Sequence, residues 1–229
     1  MSCLISSIHY CPVKSLSYQS LNSCNIKKNL GIINDRAFAF SRGIDLDKAK
    51  LIENNPNERK LNHLLTLKNS PSLNKYNFEY KNDELSLIKN DEKLISISIN
   101  NLEEHSNLSN KLIELESSLL KPIFLLKNQA FPFFDTSHSN NVFNSMSLIN
   151  LNSLKDFGLK INKKIEPQRF RGNFYIDGID AWEERNWIGK TISINNISFK
   201  VEKNIPRCVA INLKPKTDDN GLKLLNLLK

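Results

Sequence analysis

Apolar and polar residues alternate with period two along most of the chain. Leu4-Ile5-Ser6-Ser7-Ile8-His9-Tyr10 reads as a short strand, stopped by Pro12, which has no N–H to donate. Residues 23–26 and 37–40 read as two more strands, with Gly31 and Asn34-Asp35 supplying turn chemistry between them. Residues 78–80 and 85–88 flank Asn82-Asp83, a hairpin signal, and residues 94–99 alternate as a half-buried strand does. Further strands are predicted over 173–176, 191–194, 198–201 and 208–213. Spacings of three and four take over in only three places. Residues 101–120 carry Leu102, Leu108, Leu112, Ile113, Leu115, Leu119 and Leu120 at helical intervals. Residues 147–157 place Leu148, Leu151 and Leu154 on one face before Gly158, and residues 222–228 start a last helix. Many short strands with few helices predict a mainly β fold with some α (α+β), barrel-like in form. A change of texture at Lys121-Pro122 divides the chain into units 1–120 and 121–229.

Composition narrows the class. With 229 residues, 40% apolar and 24% charged, the chain is a folded protein of one large or two small domains. Lys and Arg number 32 against 24 Asp and Glu, a net +8. The lysines are spread evenly, with no block of five or six, so they read as solvated surface rather than a nucleic-acid interface. Basic residues gathered in one cleft would instead attract a phosphorylated cofactor. No apolar run approaches the ~18 residues of a membrane span, and the start, MSCLISSIHY, lacks the basic and apolar regions of a signal peptide. The expected localisation is cytoplasmic. Cys3, Cys11, Cys24 and Cys208 are scattered without a CxxC pair. That pattern argues against a disulfide framework, a structural zinc and an iron–sulfur cluster.

Four clusters carry possible chemistry. Pro12-Val13-Lys14-Ser15-Leu16 follows a strand and sets a cation and a hydroxyl at its end, where they can face an anion, although taken alone the cluster reads as a surface lysine in a turn. Asp35-Arg36 leads into the next strand and reads alone as a local ion pair. Arg169-Phe170-Arg171-Gly172-Asn173, followed by Gly178, Glu183 and Trp187-Ile188-Gly189, puts two arginines on one side of a strand start. Such a pair suits an oxyanion such as phosphate. Ile205-Pro206-Arg207-Cys208 sets a thiol beside a guanidinium, fitting either a nucleophile or soft-metal ligand or a small buried hydrophobe.

In this order the clusters resemble the MOSC domain family (molybdenum cofactor sulfurase C-terminal). The likeness is to the branch in which an N-terminal β-barrel domain precedes the MOSC domain, which includes amidoxime-reducing proteins and bacterial relatives. The resemblance covers about Ile5 to Leu228. It implies that Lys14, Ser15 and Arg36 contact a molybdenum–molybdopterin cofactor. It also implies that Arg171 and Asn173 bind its phosphate and pterin, and that Cys208, beside Arg207, is the molybdenum ligand and catalytic residue. Asn150 and Ser153 match the family's cofactor-binding helix start, with Asn150 replacing the usual serine. Pro206 removes any contact made by a backbone N–H at that position. The family continues with further strands, whereas this chain stops 21 residues (229 − 208) after Cys208. The second barrel is therefore expected to be incompletely closed.

The implied activity is a molybdenum-dependent oxidoreductase that reduces N-hydroxylated or N-oxygenated small molecules. Electrons would come from a separate flavin or iron–sulfur donor protein, with neither nucleic acid nor a membrane span involved. Two alternatives stay open: a sulfur transferase carrying a persulfide on Cys208, and a non-catalytic cofactor-binding module. The cofactor reading requires Lys14, Arg36, Arg171 and Cys208 to converge on one cleft.

Overall fold

The computed structural model describes residues 3–134 and 145–228. Among them, thirteen strands and four α-helices form a mainly β protein. The strands are β1 (Leu4–Tyr10), β2 (Gln19–Leu21), β3 (Ile26–Lys27), β4 (Gly31–Ile32), β5 (Phe38–Phe40), β6 (Asn77–Lys81), β7 (Glu84–Lys89), β8 (Glu92–Ser98), β9 (Leu125–Lys127), β10 (Leu148–Asn150), β11 (Phe174–Asp177), β12 (Thr191–Ile194) and β13 (Ile197–Lys200). The helices are α1 (Leu46–Asn54), α2 (Leu102–Leu115), α3 (Leu151–Lys160) and α4 (Leu224–Leu227). The strands form five open sheets among the described residues, with no closed barrel.

One sheet positions the site. Its order is β10-β11-β1-β2, with β11 antiparallel to β1 (Ile8 opposite Phe174) and parallel to β10 (Ile149 opposite Tyr175). The chain's first strand thus lies between a neighbour in sequence and one more than 160 residues away, and the sheet draws on both sides of Lys121. The β6-β7-β8 meander turns at Asn82-Asp83, where φ is 51° and 61°. Positive φ at both central residues is the signature of the tight hairpin turn that this dipeptide predicts. The largest apolar cluster joins Phe38, Phe40, Phe78, Leu85 and Leu87 to Leu108 and Leu112 of α2. A second cluster, made of Ile149, Phe157, Phe170, Tyr175, Ile211 and Leu224, lies under α3 and welds the C-terminal segment to the site sheet. Among the described residues, no helix is long and apolar enough to cross a membrane.

The structure corrects four local expectations. Residues 148–150 form β10 rather than the start of a helix, because the Asn150 side chain accepts from Asn152 N–H and caps α3 there. Helix α3 then runs through Gly158 to Lys160. A side chain at Gly158 would sit 2.7 Å from the Lys163 carbonyl, so the glycine serves close packing and not termination. Residues 208–213 fold as a 3-10 turn (Val209–Asn212), not a strand. Arg169 and Arg171 stand not at a strand start but in and just after another 3-10 turn, Pro167–Phe170. Helix α1, capped by Asp45, was not anticipated, since its only buried residues are Ala49 and Ile52.

Candidate functional site

Pro12 ends β1, and the chain folds into a turn in which Leu16 and Ser17 N–H groups donate to the Val13 carbonyl. Lys14 is buried against this turn, its N–H donating to the Phe38 carbonyl at 2.8 Å. Ser15 closes the turn with φ 61°, and Arg36 and Arg171 also adopt left-handed backbone, at 58° and 51°. That region is disfavoured for residues carrying a Cβ and gathers at functional sites in folded proteins. Three of the residues singled out by the motifs share it.

Asp35 is the hub beneath them. Only 1% exposed, its carboxylate accepts from Cys11 N–H at 2.7 Å and from Asn173 Nδ2 at 3.2 Å, and it pairs with the Arg36 guanidinium. Asn173 also donates to the His9 carbonyl at 3.1 Å, while its own oxygen accepts from Ser147 N–H and Oγ, both at 3.0 Å. Asn173 thereby locks β11, β1 and the Asp35-Arg36 turn together. Gly172 lies so close to Ile149 that a Cβ would meet Cγ1 at 2.5 Å, which explains the glycine between Arg171 and Asn173.

A cleft of about 360 Å³ opens beside this hub, lined among others by Ser15, Tyr18, Arg169, Arg171, Lys214 and Lys216. The two arginines of the motif divide the work. Arg169 is buried, paired with Glu166 at 2.7 Å and donating to the Asn212 carbonyl at 2.8 Å, so it anchors the C-terminal segment. Arg171 reaches Ser17 O and Cys11 Sγ through Nη2. Among the described residues its Nε and Nη1 donate to no protein acceptor. They are the donors that a bound anion would use.

The Arg207-Cys208 pair docks next to this turn. Arg207 donates to the Phe170 carbonyl at 3.2 Å and stacks 5.3 Å from the Phe170 ring, while Cys208 is exposed. Burial lowers the Arg207 pKa, and the nearby Tyr175 and Cys208 groups act against that shift. Asn150 and Ser153 lie in a different network. Asn150 Nδ2 and Ser153 Oγ both donate to Glu184 at 2.8 Å, and Trp182 N–H donates to Ser153 Oγ at 2.7 Å. The carboxylate engaged there is Glu184, one residue beyond the Glu183 singled out from sequence.

The structure therefore brings Lys14, Ser15, Arg36, Arg171 and Asn173 into one connected region, with Arg207 and Cys208 on the segment packed against it. Cys11, Tyr18 and Tyr175 belong to the same region, and no periodicity or motif pointed to them. His9 stacks on Tyr18, ring centroids 4.5 Å apart, and burial holds its imidazole below the ordinary value of 6.5. A lowered histidine pKa stabilises the fold fully above the unfolded value and progressively less as pH falls below it, because the unfolded chain takes up the proton first. The stability of His9→Phe is expected to fall less steeply than wild type as pH drops below about 6.5. Urea titrations across that window test this, and parallel slopes would refute it. His63 is lowered by burial too and contributes to the slope that remains.

Residues 135–226 match the family model described as MOSC domain. Among curated proteins, the chain is similar to Mitochondrial amidoxime reducing component 2 of Rattus norvegicus, 33% identical over 70 residues covering 31% of this chain and 20% of that protein. The protein of the same name from Homo sapiens is 32% identical over 65 residues, 28% of this chain and 19% of the relative. That from Bos taurus is 28% identical over 92 residues, 39% and 27% respectively. The matches to the rat and human relatives span about a fifth of each relative's length. Residues 135–226 thus match the MOSC domain family, and the PVKS turn, DR pair, R-x-N segment and R-C pair stand along the chain in the order of the resemblance.

Proposed function

We propose that the cleft holds a molybdenum–molybdopterin cofactor and that the protein reduces N-hydroxylated or N-oxygenated small molecules. The observation that carries this reading is Arg171, which lines the cleft with guanidinium donors that no described protein group takes up. The donor set suits the group: a soft thiol at Cys208 for the metal, and fixed cations with a hydroxyl for a phosphate. In this reading Ser15 and Arg171, which line the cleft, hold the cofactor, Lys14, Arg36 and Arg207 add positive charge beside it, Asn173 positions the walls through its fully engaged amide, and Asp35 fixes the Arg36 guanidinium by opposing its charge. Asn150 and Ser153 would act through the Glu184 network that sets the start of α3. When bound, the metal supplies the two-electron chemistry. Two electrons and two protons convert an N–OH group into N–H and water, and the electrons come from a separate flavin or iron–sulfur protein. The exposure of Cys208 also suits a second reading, a persulfide carrier for metal–sulfur cofactor assembly.

The test is metal and pterin content of the protein from a cofactor-producing host, followed by amidoxime turnover with a chemical reductant. Stoichiometric molybdenum and turnover are expected. A Cys208 persulfide without molybdenum would favour the carrier instead. In the same preparation Arg171→Ala is expected to weaken cofactor retention about tenfold to a hundredfold, the loss of one charge-assisted phosphate contact. Unchanged molybdenum content in that variant would assign the arginine a structural role only.

A further inference from the structure

We infer that the hydroxyls of Tyr18 and Tyr175 form a clamp that holds Arg171 in its left-handed turn and aims its guanidinium into the cleft, making both tyrosines positioning residues for anion binding. The inference rests on the proposed role of Arg171 and extends it to residues that lie outside every motif.

The geometry is specific. The Tyr175 ring is buried in the core under α3, and its hydroxyl has three partners. It donates to the Pro167 carbonyl at 2.9 Å and accepts from Gly172 N–H at 3.0 Å and from the Tyr18 hydroxyl at 2.8 Å. A phenol offers one donor and two acceptor positions, so its capacity is fully used. Pro167 and Gly172 are the two ends of the segment that carries Arg171. One buried oxygen therefore closes that segment and fixes the peptide that follows the strained residue. Without such closure, a side-chain-bearing residue at φ 51° would relax toward ordinary backbone and swing its guanidinium away.

Tyr18, which lines the same cleft, completes the clamp. Its backbone N–H is pinned to Asn77 Oδ1 at 2.9 Å, His9 stacks on its ring, and the Arg171 guanidinium lies 5.7 Å from the ring centroid. Ser17, the preceding residue, accepts from Arg171 Nη2. Burial pushes both phenols up in pKa, so each keeps the proton that it donates. A core tyrosine pair needs none of these links to a cleft-lining arginine.

The experiment is calorimetric titration of the purified, cofactor-free chain with inorganic phosphate, for wild type, Tyr175→Phe, Tyr18→Phe, Arg171→Ala and Tyr175→Phe/Arg171→Ala. Tyr175→Phe is expected to weaken phosphate binding about tenfold, the equivalent of one lost hydrogen bond carried through to the guanidinium. Tyr18→Phe leaves the Pro167 and Gly172 bonds in place and is expected to cost about threefold. It keeps the test open should Tyr175→Phe fold poorly. The double variant is expected to bind no more weakly than Arg171→Ala alone, because residues acting through one another do not add. If Tyr175→Phe and Tyr18→Phe bind phosphate like wild type while Arg171→Ala does not, the clamp is wrong and the role of Arg171 stands. Losses that multiply in the double variant also overturn it. Equal phosphate binding by wild type and Arg171→Ala removes the arginine's proposed role, and the clamp with it.

Discussion

Cys208→Ser is expected to bring reduction of an N-hydroxylated substrate down to background while the protein remains folded. The thiol is exposed, so replacing sulfur with oxygen leaves no cavity and breaks no core packing. A serine hydroxyl stays protonated near neutral pH and is neither a soft metal ligand nor a persulfide carrier. Cys3→Ser and Cys24→Ser are the controls and should retain activity, since burial pushes both of those thiols up and neither lines the cleft. Cys11 is not a suitable control, although no motif includes it. It is buried, its sulfur lies 3.6 Å from Arg171 Nη2, and its N–H binds Asp35. Steady-state turnover of an amidoxime by the single variant and by the Cys3/Cys24 double variant decides the matter. Wild-type rates in Cys208→Ser would remove the thiolate from the mechanism.

Asp35→Ala is expected to give the largest loss of stability of any single change at the site. It would leave Cys11 N–H and one Asn173 donor buried without an acceptor and would remove the Asp35 carboxylate from the Arg36 guanidinium. Each orphaned buried donor costs about 1–3 kcal/mol, so the two together cost about 2–6 kcal/mol. A total near 4 kcal/mol corresponds to a fall in Tm of roughly 8–16 °C for a chain of this size. Asp35→Asn keeps the volume and one acceptor oxygen and should lose less. Thermal unfolding followed by circular dichroism measures both, and a drop below about 3 °C in Asp35→Ala would show that the hub does not hold the site together.

Much of the local structure is legible in the sequence because it depends on neighbours a few residues apart. The Asn82-Asp83 turn, the alternation of β7 and β8 and the leucine spacing of α2 each report a periodicity that the backbone imposes. The helix predicted over 101–120 is shorter, Leu102–Leu115, because Glu116 turns away to pair with Lys75 and the Tyr76 hydroxyl. Lys14, Ser15, Arg36, Arg171 and Cys208 are legible for a different reason, since each sits in a short motif of ordered chemistry.

What the sequence alone determined was the β-rich class, most element positions and the identity of the polar residues worth following. Only the tertiary structure decided how those residues are used. It separated Arg169, which takes the carbonyls of the C-terminal segment, from Arg171 in the cleft, and it chose Glu184 over Glu183. It also kept residues 209–212 out of a strand, with Arg169 occupying the Asn212 carbonyl. It joined Asp35 to Asn173 across 138 positions and Tyr18 to Tyr175 across 157. No local pattern encodes such pairs. They exist because β1 lies against β11 in one sheet, and that pairing is set by the burial of whole faces against one another rather than by any residue's neighbours in the chain.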